Sequence, residues 1–175
     1  MAEGSLDNST LCEEIEIEKD EFTGQLKMEC PFRLFFSETP EVLKEYYPDE
    51  PYAAMSTKIR SVDNRVLLTT KWVFQTEKAY KYYGAISSGS QLMLKLSDNN
   101  VITVKATNYE TGDTDYDKEE TVYRVQYRFS EEDIIKLRMT EVTKFRVYWS
   151  EGYDDYNCMN PKYLMESIKC MDSKK

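Results

Sequence analysis

Leu92-Met93-Leu94-Lys95-Leu96-Ser97 runs into Asp98-Asn99-Asn100, and Val101-Ile102-Thr103-Val104-Lys105-Ala106 answers it. Leu92, Leu94 and Leu96 stand two apart, and Ile102, Val104 and Ala106 repeat that spacing. A period of two puts them on one face of a pleated ribbon, with Lys95 and Ser97 on the other. Asp and Asn between the runs tolerate the backbone of a tight turn. The stretch predicts an antiparallel hairpin with one apolar face.

The same alternation recurs on both sides. Upstream, Glu14-Ile15-Glu16-Ile17-Glu18 predicts a half-buried strand. Leu26, Met28 and Cys30 form a second face, which Phe32, Leu34 and Phe36 continue beyond Pro31. After the Asp63-Asn64 turn, Leu68, Trp72 and Phe74 lie opposite Leu67 and Val73. Apolar groups on both faces mark a central strand. Downstream, Tyr123, Val125, Tyr127 and Phe129 make one inward face, and Phe145, Val147 and Trp149 another.

Helices are expected at three places. Thr39-Pro40-Glu41 offers an N-cap and a first-turn proline. Ser130-Glu131-Glu132-Asp133 resembles a capping box opening a helix to about Met139. Asn160-Pro161 opens the last helix, whose Leu164, Ile168 and Met171 form one apolar stripe. Residues 108–120 and 151–157 read as two acidic, tyrosine-bearing loops. No strand-helix-strand alternation of the parallel type is present. The fold class is α+β: a predominantly antiparallel β-sheet, curved or two-layered, of eight or nine strands, with short helices and a C-terminal covering helix. Residues 1–11 are expected to be a disordered N-terminal segment and 12–175 a single domain.

Composition narrows the chemistry. The 175 residues contain no histidine, which excludes Ser-His-Asp and Cys-His catalysis and His-containing zinc sites. Net charge is −9, and this balance opposes nucleic-acid binding, which needs phosphate neutralisation. No apolar run approaches the roughly 20 residues of a membrane helix, so the chain is expected to be soluble. The beginning of the chain shows no secretory pattern, so it reads as cytoplasmic as written, or exported if a leader was removed. Cys12, Cys30, Cys158 and Cys170 form no C-x-x-C pair. The plainer reading is four free thiols, and export would instead permit two bridges.

Tyrosine is abundant, with 14 residues, and carries a ring that packs and a hydroxyl that reaches outward. Candidate binding residues are Tyr80, Tyr82, Tyr83, Tyr116, Tyr153, Asp154 and Asp155. Trp72 and Trp149 could join a platform, but both lie within apolar alternations that suit sheet packing. Asp113, Asp115 and Asp117 form an alternating carboxylate run that could meet a hard cation. The run fails the EF-hand test, since Lys118 and Arg124 stand where glycine and glutamate belong. The plainer reading is a solvated loop, and no metal or cofactor is expected. Arg124, Gln126, Arg128, Lys144 and Arg146 could line one outer sheet face.

Three stretches carry a resemblance: Asp20-Glu21-Phe22-Thr23-Gly24, the Leu92–Ala106 hairpin, and Phe129 to Leu137 leading to Lys144-Phe145-Arg146-Val147. They resemble the layout of small uncharacterised proteins of gut-commensal bacteria. The resemblance implies an α+β fold, and it transfers no catalytic residues. The leading functional expectation is a non-catalytic binding protein, an acidic chain that meets a basic protein partner as a toxin-immunity protein does. One alternative is an exported cell-surface domain binding glycan or peptide through its aromatics. A second is a carboxylate-dependent hydrolase using the aspartates of the acidic loops.

Overall fold

The Leu92–Ala106 stretch folds as read. Strands β6 (Gln91–Leu96) and β7 (Val101–Lys105) pair antiparallel, with Leu92 opposite Val104 and Leu94 opposite Ile102. All six side chains of the apolar face, Leu92, Leu94, Leu96, Ile102, Val104 and Ala106, are buried. Asn99 takes a positive φ of 68°, and the Asp98 carboxylate accepts the Asn100 backbone N–H. This is a computed structural model, and it describes residues 8–175. Residues 1–7 of the expected disordered segment lie outside the described residues.

Eleven strands, three α-helices and one 3-10 turn make up the described residues. Strands β1 (Glu16–Lys19), β2 (Leu26–Glu29), β3 (Arg33–Glu38), β4 (Ala53–Val62), β5 (Arg65–Phe74), β8 (Asp113–Asp115) and β9 (Glu120–Arg128) form a seven-stranded antiparallel sheet. β2 and β3 share one edge of β4, and β5 lies between β4 and β9 as its two-sided apolar pattern requires. A second sheet has the order β11-β10-β6-β7, with β10 spanning Val142–Trp149 and β11 Gly152–Asn157.

Two seams join the sheets. Ala106, just past β7, bridges to Tyr127 of β9, and Thr107 N–H donates to Gln126 O. At the opposite edge, Met159 N–H donates to Phe35 O of β3. The sheets thus wrap around one shared core. The α3 helix (Tyr163–Ser173) buries Leu164, Ile168 and Met171, the stripe seen in the sequence, and packs with α2 (Glu131–Met139). α2 starts at a true capping box: Ser130 Oγ accepts from Asp133 N–H, and Asp133 Oδ2 accepts from Ser130 N–H. No helix among the described residues is long and apolar enough to cross a membrane.

The structure departs from the sequence reading at several places. Ile17 is half exposed because β1 has β2 as its one strand neighbour. A β-bulge shifts register between Leu34 and Phe36, so the consecutive Phe35 and Phe36 are both buried while Leu34 is only half-buried. Thr39 caps no helix; its Oγ1 accepts from Tyr52 N–H, and only a 3-10 turn, Glu41–Leu43, follows. Asn160 does not cap α3; its amide exchanges hydrogen bonds with Asn8. The first acidic loop contains β8, and the second is β11. The four-thiol reading is corrected as well. Cys12 and Cys170 form a disulfide, with Cα atoms 5.1 Å apart, while Cys30 and Cys158 stay free and buried. Burial pushes the Cys30 thiol up to about 11 and that of Cys158 up to about 12, which keeps both protonated and unreactive.

Candidate functional site

Strand register gathers four connections at one end of the molecule. Glu38 pairs with Ala53, Ala53 with Phe74, and Phe74 with Thr121, while Trp149 pairs with Gly152. Segments 39–52, 75–90, 109–119 and 150–151 therefore emerge at the same pole, residues 106–108 running beside β9. Cross-links fasten them together. Ser150 N–H donates to Ala85 O at 2.7 Å, Ala85 N–H donates to Ser150 Oγ at 2.9 Å, and Ile86 bridges to Glu110.

Two glycines make these approaches possible. Gly84 ends α1 (Ala79–Tyr83) at φ +76°, and a Cβ there would lie 2.0 Å from Ser150 Oγ. Its carbonyl accepts the buried Tyr123 hydroxyl at 2.8 Å. Gly112, at φ +85°, lies so close to Tyr123 that a Cβ would meet its ring at 2.9 Å. A side chain at either position would push a loop off the pole.

The pole is acidic and rich in tyrosine. Its four segments hold eleven of the 32 acidic residues, four of the 23 basic ones and eight of the 14 tyrosines. Tyr80, Tyr82 and Tyr116 are more than half exposed. Tyr83 turns inward instead, stacking on Phe74 at 4.4 Å and lying 5.3 Å from Trp149. Tyr47 and Tyr52 meet edge to face at 5.6 Å, and the Tyr47 hydroxyl donates to Gln75 O. Beside them opens a pocket of about 450 Å³, lined by Leu43, Tyr47, Tyr52, Glu77, Lys78, Tyr82 and Glu119 among others. Trp72 and Trp149 are core residues, not platform.

Three of the seven candidate residues, Tyr153, Asp154 and Asp155, lie on β11 and split by strand alternation. On β11, Asp154 and Tyr156 lie on the less exposed face, while Tyr153 and Asp155 stand exposed on the other. Asp155 takes two hydrogen bonds from Arg146, at 2.5 and 2.7 Å. The same guanidinium lies 4.2 Å over the Tyr153 ring, which also meets Tyr148 tilted at 46°, centroids 5.5 Å apart. Arg146 holds the Asp155 carboxyl below its usual range. Asp154 behaves oppositely. Burial pushes its carboxyl up, the Tyr156 hydroxyl pulls it partly back, and the Asp155 charge adds to the rise. Burial, with the Asp154 charge as a further cause, also raises Tyr156, and burial with Tyr52 raises Tyr83.

The Asp113–Asp117 run builds a turn. Asp115 Oδ1 accepts from the backbone N–H of Asp117 and Lys118 and closes the β8–β9 hairpin. Among the described residues, no group of three or more His, Cys, Asp or Glu side chains converges on a point where a metal could sit. The five cationic and polar residues expected on one face divide between two sheets: Arg124, Gln126 and Arg128 on β9, Lys144 and Arg146 on β10. Tyr47 and Tyr52 were missed in the sequence. They flank Pro48-Asp49-Glu50-Pro51, which has the acid-plus-tyrosine composition of the two loops that were singled out. No protein-family model, curated protein or solved structure matches this chain.

Asp154 supplies a pH-dependent prediction. A carboxyl raised in the folded state favours folding in full below the ordinary value of 3.8 and loses that contribution as pH rises through the folded-state value. Asp154→Asn removes the burial of charge. Its thermal midpoint should exceed the parent's at pH 7, and the gap should close as pH falls below 3.8. Thermal melts across that range check it, and a variant less stable at pH 7 refutes it.

Proposed function

We propose that this chain is a non-catalytic binding protein whose acidic, tyrosine-rich pole docks a basic protein partner. The observation that carries the reading is the convergence of four loops, held by Gly84, Gly112 and Ser150, that concentrate acids and exposed tyrosines at one end. Exposed tyrosines suit an interface because they present large, rigid contact area with a polar tip. Acidic surroundings speed the encounter with a basic surface and disfavour acidic competitors. The Cys12–Cys170 bridge supports a setting outside the reducing cytoplasm.

A second reading has its own observation. Exposed Tyr153 and half-buried Tyr148 and Arg146 form an aromatic and cationic cluster on the outer face of β10 and β11. Such a cluster suits an exported domain that binds glycan or peptide.

The test uses the wild-type chain as bait in lysate of its host, beside the variant Glu77→Lys/Tyr82→Ala/Asp117→Lys. None of these three side chains closes a turn or fills the core. The expected partner is basic, elutes as salt rises, and binds the variant at least about tenfold more weakly. A partner that binds both forms equally, or is indifferent to salt, refutes the pole as the docking site. Loss of capture on Tyr153→Ala/Arg146→Ala instead would favour the second reading.

A further inference from the structure

The outer face of β4, β5, β9 and β7 carries cations outside any ion pair, although Glu29 of β2, which Lys58 holds, stands in register opposite Arg60. Arg60 of β4 pairs with Leu67 of β5, and Leu67 pairs with Arg128 of β9. Lys105 of β7 adjoins Arg128 across the seam, because Ala106 bridges Tyr127. Arg60, Arg128 and Lys105 therefore stand in one row across the strands, with Arg65 at its side. Neighbouring strands lie about 4.8 Å apart, so Arg128 and Lys105 are adjacent, while Leu67 of β5 separates Arg60 from Arg128. A second row pairs Lys71 directly with Arg124. Among the described residues, none of these six cations has a carboxylate within ion-pair distance, unlike Lys58, which pairs with Glu29. The Arg60 Nε is buried and has no hydrogen-bond partner. Glu110, near Arg124, is committed to the backbone N–H groups of Gly112 and Arg124.

Like charges placed opposite each other on a sheet destabilise it. A chain of net charge −9 has acids to spare for neutralising them, yet places many at the distant pole. The arrangement is explained by an anion that arrives from outside. At the end of the row the sheet face turns into a groove of about 940 Å³ against α2, where Arg65, Lys105 and Arg128 face Ile134, Ile135 and Arg138. Arg138 is held by Asp172; of the groove's three acids, Asp63 and Asp133 are occupied by Gln25 and by the α2 capping box, and Glu131 is exposed in the first turn of α2.

We propose that this face and groove bind an anionic polysaccharide, its carboxylate or sulfate groups on the Arg60–Arg128–Lys105 row. Leu67 lies between Arg60 and Arg128, and the neighbouring outward positions include Ser56, Thr69, Thr103 and Gln126, which suit sugar hydroxyls. No outward side chain of these four strands is aromatic, so the stacking platform of a single-stranded nucleic-acid binder is missing. The outer face of a many-stranded sheet also offers no separate helix or two-stranded ribbon to enter a duplex groove. The site is distinct from the acidic pole, and the two readings fail separately.

The probes are polygalacturonate and heparin oligosaccharides, with neutral dextran as control, measured by calorimetry at low and high salt. Both charged probes should bind the parent and neutral dextran should not. Arg65→Gln/Lys105→Gln/Arg128→Gln should bind at least about tenfold more weakly, with a shallower salt dependence. The pole variant Glu77→Lys/Tyr82→Ala/Asp117→Lys should keep full polysaccharide affinity. A urea melt establishes that the triple variant folds. Should it not, amide shift changes in the parent on adding heparin must map to β4, β5, β9 and β7. Equal binding by the triple variant, shift changes elsewhere, tighter binding of duplex DNA, or no binding of either anionic probe overturns the proposal.

Discussion

Reducing the Cys12–Cys170 bridge should lower stability by about 5 kcal/mol on the chain-entropy estimate, enough to leave the protein near its unfolding threshold at 37 °C. The two cysteines are separated by 158 residues, so the bridge closes nearly the whole described chain into one loop. An open unfolded chain gains all the freedom that this closure removes. In the folded state the bridge also ties the Asn8–Glu14 segment, with its buried Leu11, to α3. Urea unfolding of the oxidised protein and of Cys12→Ser/Cys170→Ser should show the unfolding free energy falling by that amount, with a lower midpoint. Thiol titration of unfolded, non-reduced protein should find two thiols, from Cys30 and Cys158, and not four. Four thiols in protein from its native host, or an unchanged midpoint, would refute the bridge as a structural element.

Trp72→Ala should cost about 3–5 kcal/mol. The Trp72 ring is fully buried and lies among Phe36, Phe74, Phe145, Trp149 and Tyr156, with centroids between 5.4 and 6.3 Å away. Contacts from both sheets meet on this one side chain, so its removal opens a cavity that neither sheet can close alone. Its indole N–H has no hydrogen-bond partner. Trp72→Phe therefore removes an unsatisfied donor along with part of the ring, and should cost much less than the alanine variant. Chemical denaturation of both variants checks the order. A phenylalanine variant as damaged as the alanine one would mean that the indole nitrogen is satisfied after all.

The legible part of the fold was its apolar alternation. Leu92 to Ala106, Leu68 to Phe74 and Tyr123 to Phe129 each repeat at period two, and each is buried as that period demands. The same signal failed where the residues are polar. Gly152–Asn157 is a strand, but Tyr153, Asp155 and Asn157 alternate with Asp154 and Tyr156, and no apolar contrast marks its faces. It failed again at Phe35, because a bulge breaks the two-residue count. The candidate tyrosines were singled out in the sequence, but their division was not. Tyr83 packs inward while Tyr80 and Tyr82, on the same short helix, face solvent.

Local sequence determined which segments pleat, where α2 begins and which stripe of α3 is buried, because those choices depend on neighbours a few residues apart. Tertiary structure alone decided that Cys12 meets Cys170, that four loops share one acidic pole, and that Arg60, Arg128 and Lys105 line up across three separate strands. Each of these joins residues far apart in the chain. Their meeting is set by strand order and register, and no short-range pattern carries that information.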